Sequence, residues 1–219
     1  MNRELITTTQ AAVGAPTGAP PTLEFWFEFG SNYSHLTVMR IEQLAREHDV
    51  AIAWKPFLLG AIFKSFGWAT SPFVLQKKKG AYVWRDMERQ CAKYGLPWNK
   101  PSEFPRRALL PMRVALLGAD QPWIGEFSRR IMHINFVEDR EIDTPEAVGQ
   151  VLDELRLPTS DLLKAAQSED NKLRLRGQTA EAGWRGVFGA PTFFAGREMY
   201  WGNDRLEDAL SFAANQVTR

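Results

Sequence analysis

Cysteine is nearly absent from this chain. Cys91 is the only one in 219 residues, which excludes an intramolecular disulfide, a Cys-x-x-Cys redox pair and a cysteine metal cluster. A single thiol suits a reducing compartment, so the cytoplasm is the expected location. Histidine is scarce as well. His35, His48 and His133 lack partners at helical metal-ligand spacing, and no metal site is expected. No apolar run approaches the ~18 residues of a membrane span. The opening stretch MNRELITTTQAAVGAPTGAPP has no continuous apolar core of the kind an export signal needs. Excess charge is missing too: 27 Lys and Arg against 26 Asp and Glu leave a formal +1. No overall field draws the chain to nucleic acid or to an acidic membrane, although a local basic pocket for a small anion is compatible with that balance.

What the chain does have is apolar and aromatic mass. It is 44% hydrophobic, with 8 Trp and 14 Phe, enough to bury a core without staples. Residues 1–22, rich in Ala, Gly, Pro and Thr, read as a flexible tail. Leu23 to Phe29 (LEFWFEF) is the dense run of a strand buried on both faces. After Gly30-Ser31-Asn32 one amphipathic helix is expected, with Ser31 or Asn32 as its cap. Val50 to Pro56 is a second strand, parallel to the first. Helices are expected over 77–94, 109–119, 123–135, 144–155 and 160–182, punctuated by prolines. Thr144-Pro145 is a cap followed by proline at the first helical position. Thr192–Ala195 and Glu198–Trp201 flank a Gly196-Arg197 hairpin turn, and a last helix runs from Leu206 to Gln216. Asp204 with Glu207 has the spacing of a capping box. The sum is an α/β chain. A βαβ half and a ββα half form a thioredoxin-like fold at residues 23–60 and 184–219, and a large all-helical insertion occupies 61–183.

Three segments could carry chemistry, and each also has a purely structural explanation. Ser31 stands where a buried strand enters a helix; its hydroxyl could donate to a thiolate and lower the thiol pKa, or simply cap the helix. Ala190-Pro191 enters a strand, where a cis bond would leave backbone groups for an extended peptide ligand, or the proline merely starts the strand. At Gly202-Asn203-Asp204-Arg205 a carboxylate could hold an ammonium group or cap the last helix.

Taken together, FWFEFGSNYSHL near the start and GVFGAPTFFAGREMYWGNDRLEDAL near the end resemble the 2-hydroxychromene-2-carboxylate isomerase family. That family is similar to kappa-class glutathione transferases and to disulfide oxidoreductases with a helical insertion. The resemblance runs from about Leu23 to the end, and through the middle it is chiefly one of helical character. It implies glutathione as cofactor, a small aromatic carboxylate as substrate, and a homodimer. It places Ser31 as the catalytic hydroxyl beside the glutathione sulfur. Ala190, before a cis Pro191, would pair with the cysteinyl part, and Asn203 and Asp204 would hold the γ-glutamyl end. Lys64, in a loop from Phe57, would meet an anion on the far side. The chain departs from the family pattern at Asn32, where Pro is usual, and at Arg106-Arg107, whose charge could meet a substrate carboxylate or lie on the surface. The rival enzyme is a kappa-like transferase or peroxidase, and the rival of another class is a non-catalytic thioredoxin-fold binding protein. Ser31 and Ser34, where two cysteines would be needed, disfavour a dithiol oxidoreductase. Trp68, Trp84 and Trp98 could wall an aromatic pocket or belong to the core.

Overall fold

The computed structural model describes residues 19–216; of the tail expected over residues 1–22, residues 1–18 lie outside them, and Thr22 already belongs to the first strand. Four strands form one mixed sheet: β1 (Thr22–Phe27), β2 (Ala51–Pro56), β3 (Thr192–Ala195) and β4 (Glu198–Trp201). The spatial order is β2-β1-β3-β4. β1 and β2 are parallel, Phe25 opposite Trp54; β1 and β3 are antiparallel, Phe25 opposite Phe193. Side chains alternate across a strand, so β1 feeds two cores. Leu23, Phe25 and Phe27 enter the larger one, and Trp26 joins Phe57, Ile62, Phe63 and Phe194 on the opposite side. Each such aromatic, fully buried, contributes about 1.5–3 kcal/mol relative to exposure. The β3–β4 turn has φ +61° at Gly196, the conformation for which a first-position glycine is selected.

Eleven α-helices surround the sheet among the described residues. The stretch after Ser31 is two helices rather than the one expected: α1 (Asn32–Val38) and α2 (Ile41–Glu47). The break has a tertiary cause. Arg40 leaves helical φ at −120°, and its guanidinium stacks on Tyr94 (3.6 Å), donates to Asn203 Oδ1 (3.3 Å) and pairs with Glu207. The segment expected as a loop from Phe57 to Lys64 contains α3 (Leu59–Ser65), which buries Leu59, Ile62 and Phe63 at i, i+3 and i+4 spacing. There follow α4 (Pro72–Leu75), α5 (Lys77–Tyr94), α6 (Leu109–Leu117), α7 (Ile124–Phe136) and α8 (Pro145–Glu154). Thr144 caps α8, accepting from the Ala147 N–H at 3.1 Å. The single helix expected over 160–182 is α9 (Thr159–Ala166) and α10 (Glu169–Trp184), parted where Ser168 caps the second by accepting from Asn171 N–H.

The capping box is not formed. A 3₁₀ turn over Asn203–Arg205 precedes α11 (Leu206–Asn215), whose cap residue is Arg205 with no side-chain capping bond. Glu207 is drawn away to Arg40, and Asp204 lies exposed beside Arg205 at 3.2 Å. The larger core is continuous from β1 and β3 through Met112, Phe127 and Leu152 of α6, α7 and α8. The helical wall is thus packed directly onto the sheet.

Candidate active site

β1 ends at Phe27, and the chain turns through Glu28-Phe29-Gly30 before α1. The Ser31 N–H donates to the Glu28 carbonyl at 3.1 Å, which closes that turn. Ser31 then does two things. Its Oγ accepts from the Ser34 N–H at 3.2 Å, capping α1, and donates to the Ala190 carbonyl at 2.8 Å. The two segments singled out in the sequence, 159 positions apart, therefore meet through one buried hydroxyl. The Ala190–Pro191 bond is cis. The Pro191 carbonyl accepts from Gly202 N–H at 3.0 Å, joining the third segment to the second.

These segments border a cavity of about 540 Å³. Ser31, Ala190 and Gly202 line it from the sheet side, Lys64 from α3, and Lys79 from α5. Its aromatic walls include Trp68, packed on Phe63 at 5.6 Å between ring centres, and Trp201, packed on Phe188 at 4.9 Å. A β-carbon at Gly189 would run into the Trp201 ring, so glycine there lets the indole close over the Ala190 loop. Tyr33 also lines the cavity and donates from Oη to Asp86 at 2.7 Å; burial and that carboxylate raise its phenol pKa.

Not every expected residue reaches the cavity. Asn203 is buried, and its Oδ1 accepts from Thr37 Oγ1 at 3.2 Å and from Arg40, so it fixes the turn before α11. Asp204 is exposed outside the lining, close enough to Tyr33 for its charge to raise the phenol pKa. Arg106 is buried and turned away, reaching Asp139 Oδ1 at 2.5 Å, Asn135 Oδ1 at 3.1 Å and Ser102 Oγ at 3.2 Å. Arg107 is exposed and pairs with Asp143 at 2.8 Å. Neither arginine lines the cavity. Trp84 and Trp98 stack on each other in a satellite of the core at 6.1 Å. Cys91 is buried, and its thiol is pushed up to about 11 by desolvation, which removes nucleophilic character at neutral pH.

Sequence reasoning overlooked Glu28, named Asn32 only as a cap or a departure from the family proline, and expected His35 on an exposed helix face. Glu28 lines the cavity, and burial pushes its carboxyl up to about 7, against a lowering contribution from the Gly30 N–H and a small raising one from Asp143. Asn32 lines the cavity with a buried Nδ2 that has no partner. His35 is buried against Trp98 and Phe136, and desolvation lowers it to about 4, opposed by the nearby Pro97 carbonyl. Glu28 had one signal, a carboxylate just past the end of an aromatic strand.

The same fold recurs among known proteins. The model of the DSBA-like thioredoxin domain matches residues 22–212. The chain belongs to that family. Within the DSBA-like group it is similar to 2-hydroxychromene-2-carboxylate isomerase of Sphingobium xenophagum, with 28% identity over 87% of this chain and 97% of that one. The namesake protein of Pseudomonas putida is 27% identical over 84% and 90%. Glutathione s-transferase kappa 2 of Caenorhabditis elegans is 25% identical over 88% and 91%. Among solved structures, a 2-hydroxychromene-2-carboxylate isomerase superposes with a TM-score of 0.80 at 25% identity, covering 90% of this chain and 96% of that one. The cytosolic disulfide reductase DsbM from Pseudomonas aeruginosa, in its structure with GSH, shares the fold at TM-score 0.63 and 16% identity, over 90% and 100%.

Proposed function

We propose that this protein is a glutathione-dependent isomerase acting on 2-hydroxychromene-2-carboxylate or a closely related small aromatic carboxylate in the cytoplasm. The observation that carries the reading is the Ser31–Ala190 contact at the wall of an aromatic cavity with two lysines. The relatives named for this isomerase, matched over most of their length, support it.

The residues present suit glutathione. The Ala190 N–H has no partner among the described residues, and Asn32 offers a further unpaired donor at the same wall. Ser31 can turn its hydroxyl from the Ala190 carbonyl toward a sulfur while still accepting from Ser34. Ala190 and Pro191 hold the cysteinyl portion. The Asp204 carboxylate, whose one partner among the described residues is Arg205, takes the γ-glutamyl ammonium, and Asn203 fixes the turn that presents it. When bound, glutathione supplies a thiolate able to add reversibly to a conjugated double bond, which permits rotation without net redox change. The chain's part is to hold that anion and align an aromatic acid against it, which is positioning and electrostatic preorganisation. Lys64 and Lys79 meet the substrate carboxylate, and Trp68 and Trp201 flank its ring.

Calorimetric titration of glutathione into the protein, beside Asp204→Ala, tests the site. Saturable binding weakened by about tenfold or more in the variant is expected, the scale of a lost charged hydrogen bond. No binding to the folded wild type would remove the isomerase reading. The kappa-type relatives favour a second reading, transfer of glutathione to electrophiles. Turnover of a chloroarene that exceeds turnover of the hydroxychromene would favour it.

A further inference from the structure

We infer that Glu28 is the proton acceptor of the site, taking the proton of the glutathione thiol when that thiol settles against Ser31. The inference rests on the glutathione reading above and extends it to a residue outside that account.

Placement comes first. Glu28 is the only carboxylate among the residues lining the cavity. Its side chain folds back on its own turn, so that both carboxyl oxygens lie against Gly30, immediately before Ser31. Gly30 makes room for this. A β-carbon there would lie 3.0 Å from Glu28 Oε2 and 2.9 Å from the Arg106 carbonyl, so any larger residue would push the carboxyl away. The backbone of the same turn joins Ser31 N–H to the Glu28 carbonyl. Hydroxyl and carboxyl are therefore fixed in one closed turn at the cavity wall.

The charged surroundings leave the carboxyl without a cation. From the segment before α8, Asp143 adds negative charge, itself engaged by Arg107 and by the Leu110 N–H at 2.6 Å. Arg106 presents only its carbonyl, its guanidinium being spent on Asp139 and Asn135. Lys64 of α3, Lys79 of α5, and the phenols of Tyr33 and Tyr82 line the same cavity. No salt bridge to Glu28 occurs among the described residues. A carboxylate so placed binds a proton far more readily than one in water. A thiolate forming beside it strengthens that tendency, because two adjacent anions titrate as one coupled pair. The step is balanced. The S–H bond breaks, its electron pair stays on sulfur, the proton forms an O–H bond on Glu28, and nothing enters from solvent.

The test counts protons as well as thiolate. Glutathione is titrated calorimetrically in phosphate and in Tris, whose ionisation enthalpies differ widely, while thiolate is read from ultraviolet absorbance. At about pH 8, where a free thiol is still mostly protonated, the wild type should gain thiolate with almost no proton released to buffer. Nearer pH 6 Glu28 already carries its proton, so each thiolate formed there should release one. In Glu28→Gln, thiolate at about pH 8 should form only with release of a proton. Thiolate without release in Glu28→Gln, or release by the wild type at about pH 8, overturns the inference. So does the absence of thiolate in the wild type.

S-methylglutathione, which has no proton to give, separates the two readings. Equal binding to both proteins shows an intact site in the variant. Failure of glutathione itself to bind the folded wild type sinks the glutathione reading, and this inference with it. The wild-type counts at the two pH values decide the matter even where Glu28→Gln does not fold.

Discussion

Replacing Glu28 by glutamine should make the protein more stable, and only at neutral and alkaline pH. Burial raises the folded-state pKa from 4.5 to about 7. Between those values the folded chain holds a proton that the unfolded chain has lost. Unfolding free energy therefore falls as pH rises through this window, since stability rises with pH only where the unfolded state binds more protons. A displacement of that size is worth at most ~3 kcal/mol at 1.36 kcal/mol per unit. The substituted amide keeps an oxygen for the Gly30 N–H and never ionises. The variant should match the wild type near pH 4.5, draw ahead from pH 5 to 7, and lead by ~2–3 kcal/mol at pH 8. Urea unfolding at each pH, extrapolated linearly to water, measures this. Other titrating groups cancel in the difference between the two proteins. A difference independent of pH would refute the claim that Glu28 is held in a desolvating environment. So would a variant less stable at pH 8. The gain is the converse of function: a group kept ready to change its charge is one that the folded state would be more stable without.

Ser31→Ala should lower turnover by ~10² if its hydroxyl is a principal anion donor; a loss of ~1–2 kcal/mol in urea unfolding should accompany it, from the missing cap and the unpaired Ala190 carbonyl. Near wild-type turnover would dismiss Ser31 from that role. Arg106→Ala leaves Asn135 Oδ1 without its donor and Asp139 Oδ1 with Ser102 but no cation, and should cost ~3 kcal/mol in the same assay. His35 is lowered to about 4 by burial, so the unfolded state binds its proton first. This contribution, opposite in sign to that of Glu28, should fall by up to ~3 kcal/mol as pH drops from 6.5 toward 4, and it is read as the pH-dependent difference between wild type and His35→Phe. A constant difference would show that the imidazole is not held neutral.

Local pattern was enough for much of the architecture. The Phe-rich run of β1, the glycine-led turn between β3 and β4, and the Thr144-Pro145 start of α8 each carry their cause within a few residues, and each is where the sequence reading put it. The differences have causes far along the chain. The break between α1 and α2 is made by Arg40 bonding to residues 203 and 207. Helix α3 is legible from the spacing of Leu59, Ile62 and Phe63, yet the family resemblance reads the segment as a loop. In the candidate site, Ser31 and the Ala190 loop are visible as motifs because a strand end and an X-Pro step are local features. Glu28 is not, because its titration depends on what closes around it. Arg106 read as free charge, for a substrate carboxylate or for the surface, because its partners, Asn135 and Asp139, lie 29 and 33 positions on.

The sheet order has a consequence for synthesis. β1 pairs with β2 within roughly the first sixty residues, but its other edge waits for β3, about 165 positions later. Until the ribosome has delivered roughly the last thirty residues, an aromatic strand presents an unpaired edge, the kind of template on which chains join one another. The long helical segment between is made during that interval. A chain interrupted before Thr192 would thus lose both its site and the cover of its most adhesive strand.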